Sequence, residues 1–167
     1  MLPLHPVVVH FPIVLAVLLP IFAAGALWAI RKGTTPRRAW LVPVAIALAL
    51  AASAFVAVET GETQDERVER VVPEQPLESH EEAAESFLTL SSGLALLVAA
   101  GLVRGRIGSV ARGLGTAGAV GLVALAAYVG HSGGRLVYEY GAASAYTGDP
   151  RVGAATARAS SIEGDDR

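Results

Sequence analysis

Four histidines, His5, His10, His80 and His131, are the only imidazoles in the 167-residue chain. Cysteine is absent and the one methionine is Met1. Those absences remove disulfides, iron–sulfur clusters, thiolate-ligated haem and covalently attached c-type haem. Imidazole is left as the strong ligand for iron, with Asp, Glu and Tyr as further donors. His5 and His10 head an apolar run in Leu4-His5-Pro6-Val7-Val8-Val9-His10-Phe11-Pro12, His80 lies in Ser79-His80-Glu81-Glu82, and His131 precedes Ser132-Gly133-Gly134-Arg135.

Two imidazoles can ligate one haem b iron from opposite faces. His10 with His131 is the first candidate pair, because both lie at the boundary of an apolar run and so at similar depth; His80 with His5 is the second, shallower pair. Gly130, Gly133 and Gly134 beside His131 would make room for a flat macrocycle, Arg135 would face a propionate, and Phe11, Tyr128 and Tyr138 could line the ring. The alternative is a zinc, copper or iron ion held by His10, His80 and His131 with Glu59 and Glu62. Glu81 and Glu82 are also at hand, but no His-Glu-x-x-His or Glu-x-x-His spacing occurs. Each feature has a plainer reading. Interfacial histidines sit at headgroup level because they are amphipathic, the glycines would stop a helix, and an acidic run is ordinarily a solvated face. Nothing points to nucleic acid or to a nucleophile triad, and the glycines around residues 108–113 follow no strand, so they are not a dinucleotide fingerprint.

The elements that must position these residues are apolar helices. Hydrophobic residues make up 53% of the chain and charged ones 17%, against about 25% charge in soluble domains, and the mean hydropathy is +0.50. The excess lies in four uncharged runs, Phe11–Ile30, Ala39–Val58, Phe87–Val103 and Leu114–Val129, each near the roughly 17–25 residues that cross a bilayer core. The fold class expected is all-α: one polytopic membrane domain over residues 1–141, an antiparallel up-and-down bundle with helices over about 6–30, 39–58, 80–103 and 113–131. Residues 142–167, rich in Ala, Ser, Gly and Arg, read as a disordered outer tail. No internal repeat is evident.

Arg31, Lys32, Arg37 and Arg38 in the first connection, and Arg104, Arg106 and Arg112 in and after the third, have no acid among them. Basic short loops lie on the cytoplasmic side. Both termini and the acidic connection from Glu59 to Ser86 are therefore expected outside a bacterial inner membrane, with all four histidines at the outer end. No basic residue precedes the first run, so it reads as a retained helix rather than a signal peptide. The first helix starts at Pro6 or at Pro12, Pro12 and Pro20 should bend it, and the third starts at His80 through a capping box from Ser79 to Glu82. In the fourth, Gly113, Ala117 and Gly121, and again Gly115 and Ala119, recur at the four-residue spacing that lets helices pack closely in lipid.

His5-Pro6-Val7-Val8-Val9-His10-Phe11-Pro12 and His131-Ser132-Gly133-Gly134-Arg135-Leu136-Val137-Tyr138-Glu139-Tyr140-Gly141 resemble the HPxxxHFP and HxGGxLVYxYG signatures of a bacterial four-helix membrane family of unknown function, domain of unknown function 2231. Thr60-Gly61-Glu62 and His80 resemble its middle part, so the likeness covers residues 2–141. Some members of that family are joined to c-type cytochrome or Rieske-type domains, which implies a redox setting; the family assigns no catalytic residue. The expectation is a small b-type membrane cytochrome, an electron carrier rather than an enzyme, serving a separate outer-side redox protein. The alternatives are the metal-ion site and a cofactor-free membrane subunit that docks an outer-side partner.

Overall fold

The structure, a computed structural model, describes residues 4–147. Those residues form α1 (His5–Val8), α2 (His10–Arg31), α3 (Pro36–Glu62), α4 (Asp65–Val68), α5 (Glu74–Ala100), α6 (Gly105–Tyr138) and α7 (Ser144–Thr147). Four stretches are long and apolar enough to cross a membrane: α1 with α2, then α3, α5 and α6. The first three hold 27 residues each and α6 holds 34. At 1.5 Å per residue these are about 40 and 50 Å long, beyond the roughly 30 Å hydrocarbon core, so turns project past it.

The helix ends follow local chemistry and differ from the expected ones. Helix begins at His5, and only Val9 interrupts it; Pro12 has no N–H to give the Val8 carbonyl. Pro20 lies inside α2 without breaking it. Pro36 opens α3 at the first helical position, after an extended Thr35. Glu74, not His80, opens α5, after an extended Pro73, and Ser79 caps nothing; an acidic residue in the first turn suits the positive end of the helix dipole. Gly130, Gly133 and Gly134 do not stop α6, which continues to Tyr138 and ends ahead of Gly141, whose φ is 72°.

Each spanning helix packs on two neighbours: α2 on α3, α3 on α5, α5 on α6 and α6 on α2. The centre is made of small residues such as Ala16, Ala23, Ala47, Ala54, Ala119 and Ala126, around Leu19, Leu50, Leu94, Val98 and Leu122. On α6 the buried row is Gly115 and Ala119, while Gly113, Ala117 and Gly121 are exposed. A Cβ on Gly115 would stand 3.1 Å from Val98 Cγ2, so a hydrogen there sets the α5–α6 approach. Large apolar side chains such as Phe11, Trp28, Leu48, Leu96 and Ile107 face outward, as lipid solvation requires.

The bundle carries a repeat that residue identity conceals. His5 and His80 are 75 positions apart, and buried positions recur at that spacing: Pro12 with Phe87, Ala16 with Ser91, Leu19 with Leu94, Ala23 with Val98, Ala26 with Gly101. The second helices follow suit, with Trp40, Val44 and Ala47 matching Gly115, Ala119 and Leu122. Of these pairs only the histidines and leucines are identical, which is why no repeat is evident in the sequence. The halves are two parallel hairpins related by an axis along the membrane normal.

The basic end is locked around Gly101. Trp40 Nε1–H donates to the Val98 carbonyl at 2.8 Å and Arg112 Nη1 to the Gly101 carbonyl at 2.6 Å. Both acceptors sit in the closing turn of α5, where the Val98 carbonyl also takes the Gly101 N–H at 3.0 Å, and a buried cation suits that negative end. A Cβ on Gly101 would run into the Trp40 indole and stand 2.9 Å from Arg112 Cγ. Gly101→Ala should therefore destabilise the bundle by about 1–3 kcal/mol through overpacking. Gly113→Ala, with nothing within 4 Å, should leave the unfolding midpoint in detergent unchanged or slightly raised; thermal unfolding of the two variants checks both.

Candidate functional site

The opposite end holds two histidines seated in the same way. His5 Nδ1 lies 2.9 Å from the Ala57 carbonyl oxygen, across to α3. A carbonyl only accepts, so the proton is on Nδ1 and the Nε2 lone pair is free in the neutral ring. His80 Nδ1 lies 2.8 Å from Ser132 Oγ, across to α6. That hydroxyl gives its one proton to the Val129 carbonyl at 3.0 Å, so it accepts from His80, and His80 is the same tautomer. In both cases the bonded residues are 52 positions apart, as the two-hairpin repeat demands.

Each ring rests on a glycine. A Cβ on Gly61 would stand 3.2 Å from His5 Cε1, and one on Gly133 would stand 3.0 Å from His80 Cε1. Gly133 thus makes room for an imidazole of its own bundle. Both rings are half-buried and close enough to interact electrostatically. They come from the diagonal helices α1 and α5, His5 turned to α3 and His80 to α6.

Asp65, on α4, is within electrostatic reach of His5 and hydrogen-bonded to Glu81. Two carboxyl groups can share such a bond only by keeping a proton between them. Burial first, then the Glu62 and Glu69 carboxylates, pushes the Asp65 carboxyl above its ordinary 3.8, against the pull of His5 and the Glu81 bond. The roof over this end is a small apolar cluster of Val72, Leu77, Leu136 and Ala142. Tyr146 O–H donates to Gln64 Oε1 at 2.6 Å. Ala142 and Ser144, expected in a disordered tail, are buried here instead, with apolar and carbonyl surface to pack against; residues 148–167 lie outside the described residues.

His10 and His131 are exposed on the bundle surface, as are Phe11, Tyr128 and Tyr138. Glu59, Glu62 and Glu82 are exposed and Glu81 is half-buried. The donors weighed for a metal ion are not gathered: no group of three or more His, Asp or Glu able to hold an ion occurs among the described residues. Gly134 has open space beside it. Arg135 is engaged on the surface, with Nε 2.8 Å from Glu139 Oε2 and Nη2 3.1 Å from the Tyr140 hydroxyl.

Sequence reasoning missed Gly61, Asp65, Ser132 and the Ala57 carbonyl. The recoverable signal was that each histidine in the first two turns of a spanning helix has a glycine near the close of the next spanning helix, where a ring needs a flat seat. A family model described as "Predicted membrane protein (DUF2231)" matches residues 1–145. Comparison with curated proteins and with solved structures returns no match.

Two outcomes follow from this geometry. Ring 15N spectra should show His5 and His80 with the proton on Nδ1, and Ser132→Ala should perturb His80 while leaving His5 as it was; Nε2–H tautomers at both would contradict the arrangement. The Asp65 carboxyl binds its proton more tightly folded than unfolded, so its contribution is fully present below 3.8 and is lost as pH rises through the raised value. Asp65→Asn, uncharged throughout and still able to hydrogen-bond Glu81, should unfold at a higher temperature than the parent at neutral pH. The difference should close as the pH falls toward 3.8.

Proposed function

Since the chain belongs to the DUF2231 family of predicted membrane proteins, a bilayer-embedded four-helix protein is the premise, and we propose that it is a b-type cytochrome of the bacterial inner membrane. In this reading His5 and His80 would hold the haem iron. The observation that carries it is that each ring has Nδ1 within hydrogen-bond distance of an oxygen on a neighbouring helix, an arrangement that leaves Nε2 of each ring as the nitrogen to offer. Histidines that bind metals ordinarily present one nitrogen while the other is fixed by such an acceptor.

The donor set also favours haem over a bare ion. Zinc takes three or four protein ligands, and no group of three is gathered among the described residues. Haem iron takes four nitrogens from its macrocycle and needs only one or two from protein. His10 with His131 is the weaker pair on this geometry, since both rings are exposed. Bound haem would supply one-electron exchange, and with both imidazoles engaged the protein would serve electron transfer rather than oxygen chemistry.

The remaining parts follow from charge. The basic connections would face the cytoplasm and the termini the outer side. Glu66, Glu69, Glu74, Glu78 and Glu82 are exposed around the outer end, a rim suited to steering a positively charged redox protein to the site. Ala57 and Ser132 would hold the imidazoles in orientation, and Gly61 and Gly133 would set their planes.

Protein purified from haem-replete cells should show a Soret band and a sharp α band after dithionite reduction. His5→Ala and His80→Ala should each abolish them, and His10→Ala and His131→Ala should not. Loss with the second pair alone would move the ligands to His10 and His131. Stoichiometric zinc, copper or iron without porphyrin absorption would replace haem by an ion, and a colourless, metal-free preparation that still binds an outer partner would leave a docking subunit.

A further inference from the structure

The basic end of the bundle carries two apolar troughs, one on each hairpin. The first lies between α2 and α3, with Phe22, Gly25 and Ala29 on one wall, Val42 on the other, and Arg38 with Thr34 at its mouth; its volume is about 480 Å³. The second lies between α5 and α6, with Leu97 and Ala100 on one wall, Ile107 and Leu114 on the other, and Arg106 at its mouth; its volume is about 450 Å³. At the 75-residue spacing of the halves, Phe22 matches Leu97, Gly25 matches Ala100 and Ala39 matches Leu114. The apolar walls thus recur in the two halves, while the arginines come from different positions, Arg38 before α3 has completed two turns and Arg106 at the start of α6. Each is an open groove on the outside of the bundle, and each has a guanidinium in its lining.

We propose that these troughs are binding sites for anionic phospholipid, one molecule per hairpin, with an acyl chain along the trough and the phosphate on Arg38 or Arg106. Three observations specify the occupant. The walls are apolar and lie within membrane-spanning helices, so the occupant's body is hydrocarbon. The one charged side chain in each lining is an arginine, whose planar fork matches phosphate. Both grooves are shallow and open along their length, which suits an acyl chain lying against the helices rather than an enclosed small molecule. The trough floors are kept open by small residues; Gly25 has nothing within 4 Å of where its Cβ would be. Basic recesses between transmembrane helices are the places where acidic headgroups bind specifically rather than through the diffuse surface potential. The proposal does not depend on haem, because it concerns the opposite end of the bundle.

Native mass spectrometry of the full chain, released from micelles doped with phosphatidylglycerol or phosphatidylcholine, tests it. Two phosphatidylglycerol molecules should be retained per chain and phosphatidylcholine should be lost. Arg38→Gln and Arg106→Gln should each remove one molecule, weakening that site about fivefold. Gly25→Leu should fill the first trough and remove one molecule without changing any charge. Arg31→Gln and Lys32→Gln, outside both linings, are the controls. Equal retention of phosphatidylcholine, or an equal loss with the control variants, would overturn the proposal, as would two lipids persisting when Arg38 and Arg106 are both replaced. Free glycerol phosphate competing as well as the lipid would show that only an anion is recognised and would overturn it too.

Discussion

A half-buried neutral imidazole between packed helices has one N–H that must be given to an acceptor, and the acidic end of the bundle meets that need twice. Helix carbonyls are normally occupied by their own ladder, so a ring can reach one only where a neighbouring helix comes very close. Gly61 and Gly133 permit that closeness, and their missing side chains are the space the rings fill. The extra turns of α3, α5 and α6 beyond the hydrocarbon are what bring Gly61, His80 and Gly133 to the same level. An unplaced N–H at this depth costs on the order of 1–3 kcal/mol, enough to select this packing over a looser one.

The four spans were legible because crossing a bilayer is a one-dimensional requirement. A run such as Phe11–Ile30 must be long and uncharged whatever it packs against, and the polarity of the connections is written in Arg31, Lys32, Arg104 and Arg106. The histidine facing was not legible. His5 and His10 are five residues apart, and the direction of each depends on where the helix starts and on the interruption at Val9 that Pro12 imposes. Ser79 resembled a cap because the residues around it also suit a helix interior, and Pro73, six residues earlier, governs the start of α5. The glycines after His131 looked like a stop because, without the partner ring, nothing in the local sequence offsets their low helix propensity.

The two ends of the bundle solve different problems with the same device, a glycine under a ring. At the basic end Gly101 accepts the Trp40 indole, and the bonds from Trp40 and Arg112 tie the second and fourth spans to the last turn of the third. At the acidic end the glycines seat rings with a nitrogen to spare. Indole has one N–H and no lone pair to offer, so its end is a fastening; imidazole keeps a second nitrogen in hand, so its end has chemistry left over.

The two imidazole acceptors are not equivalent in how they can change over time. Ala57 contributes its main-chain oxygen, which survives any replacement of that residue that keeps the helix. Ser132 contributes a hydroxyl, which a single codon change removes or exchanges. One member of the pair is therefore anchored in a feature common to every amino acid, and the other in a feature that heredity can edit. Divergent copies of this bundle have a one-sided dial: the electronic character of the His80 side can drift or be selected while the His5 side stays as it was.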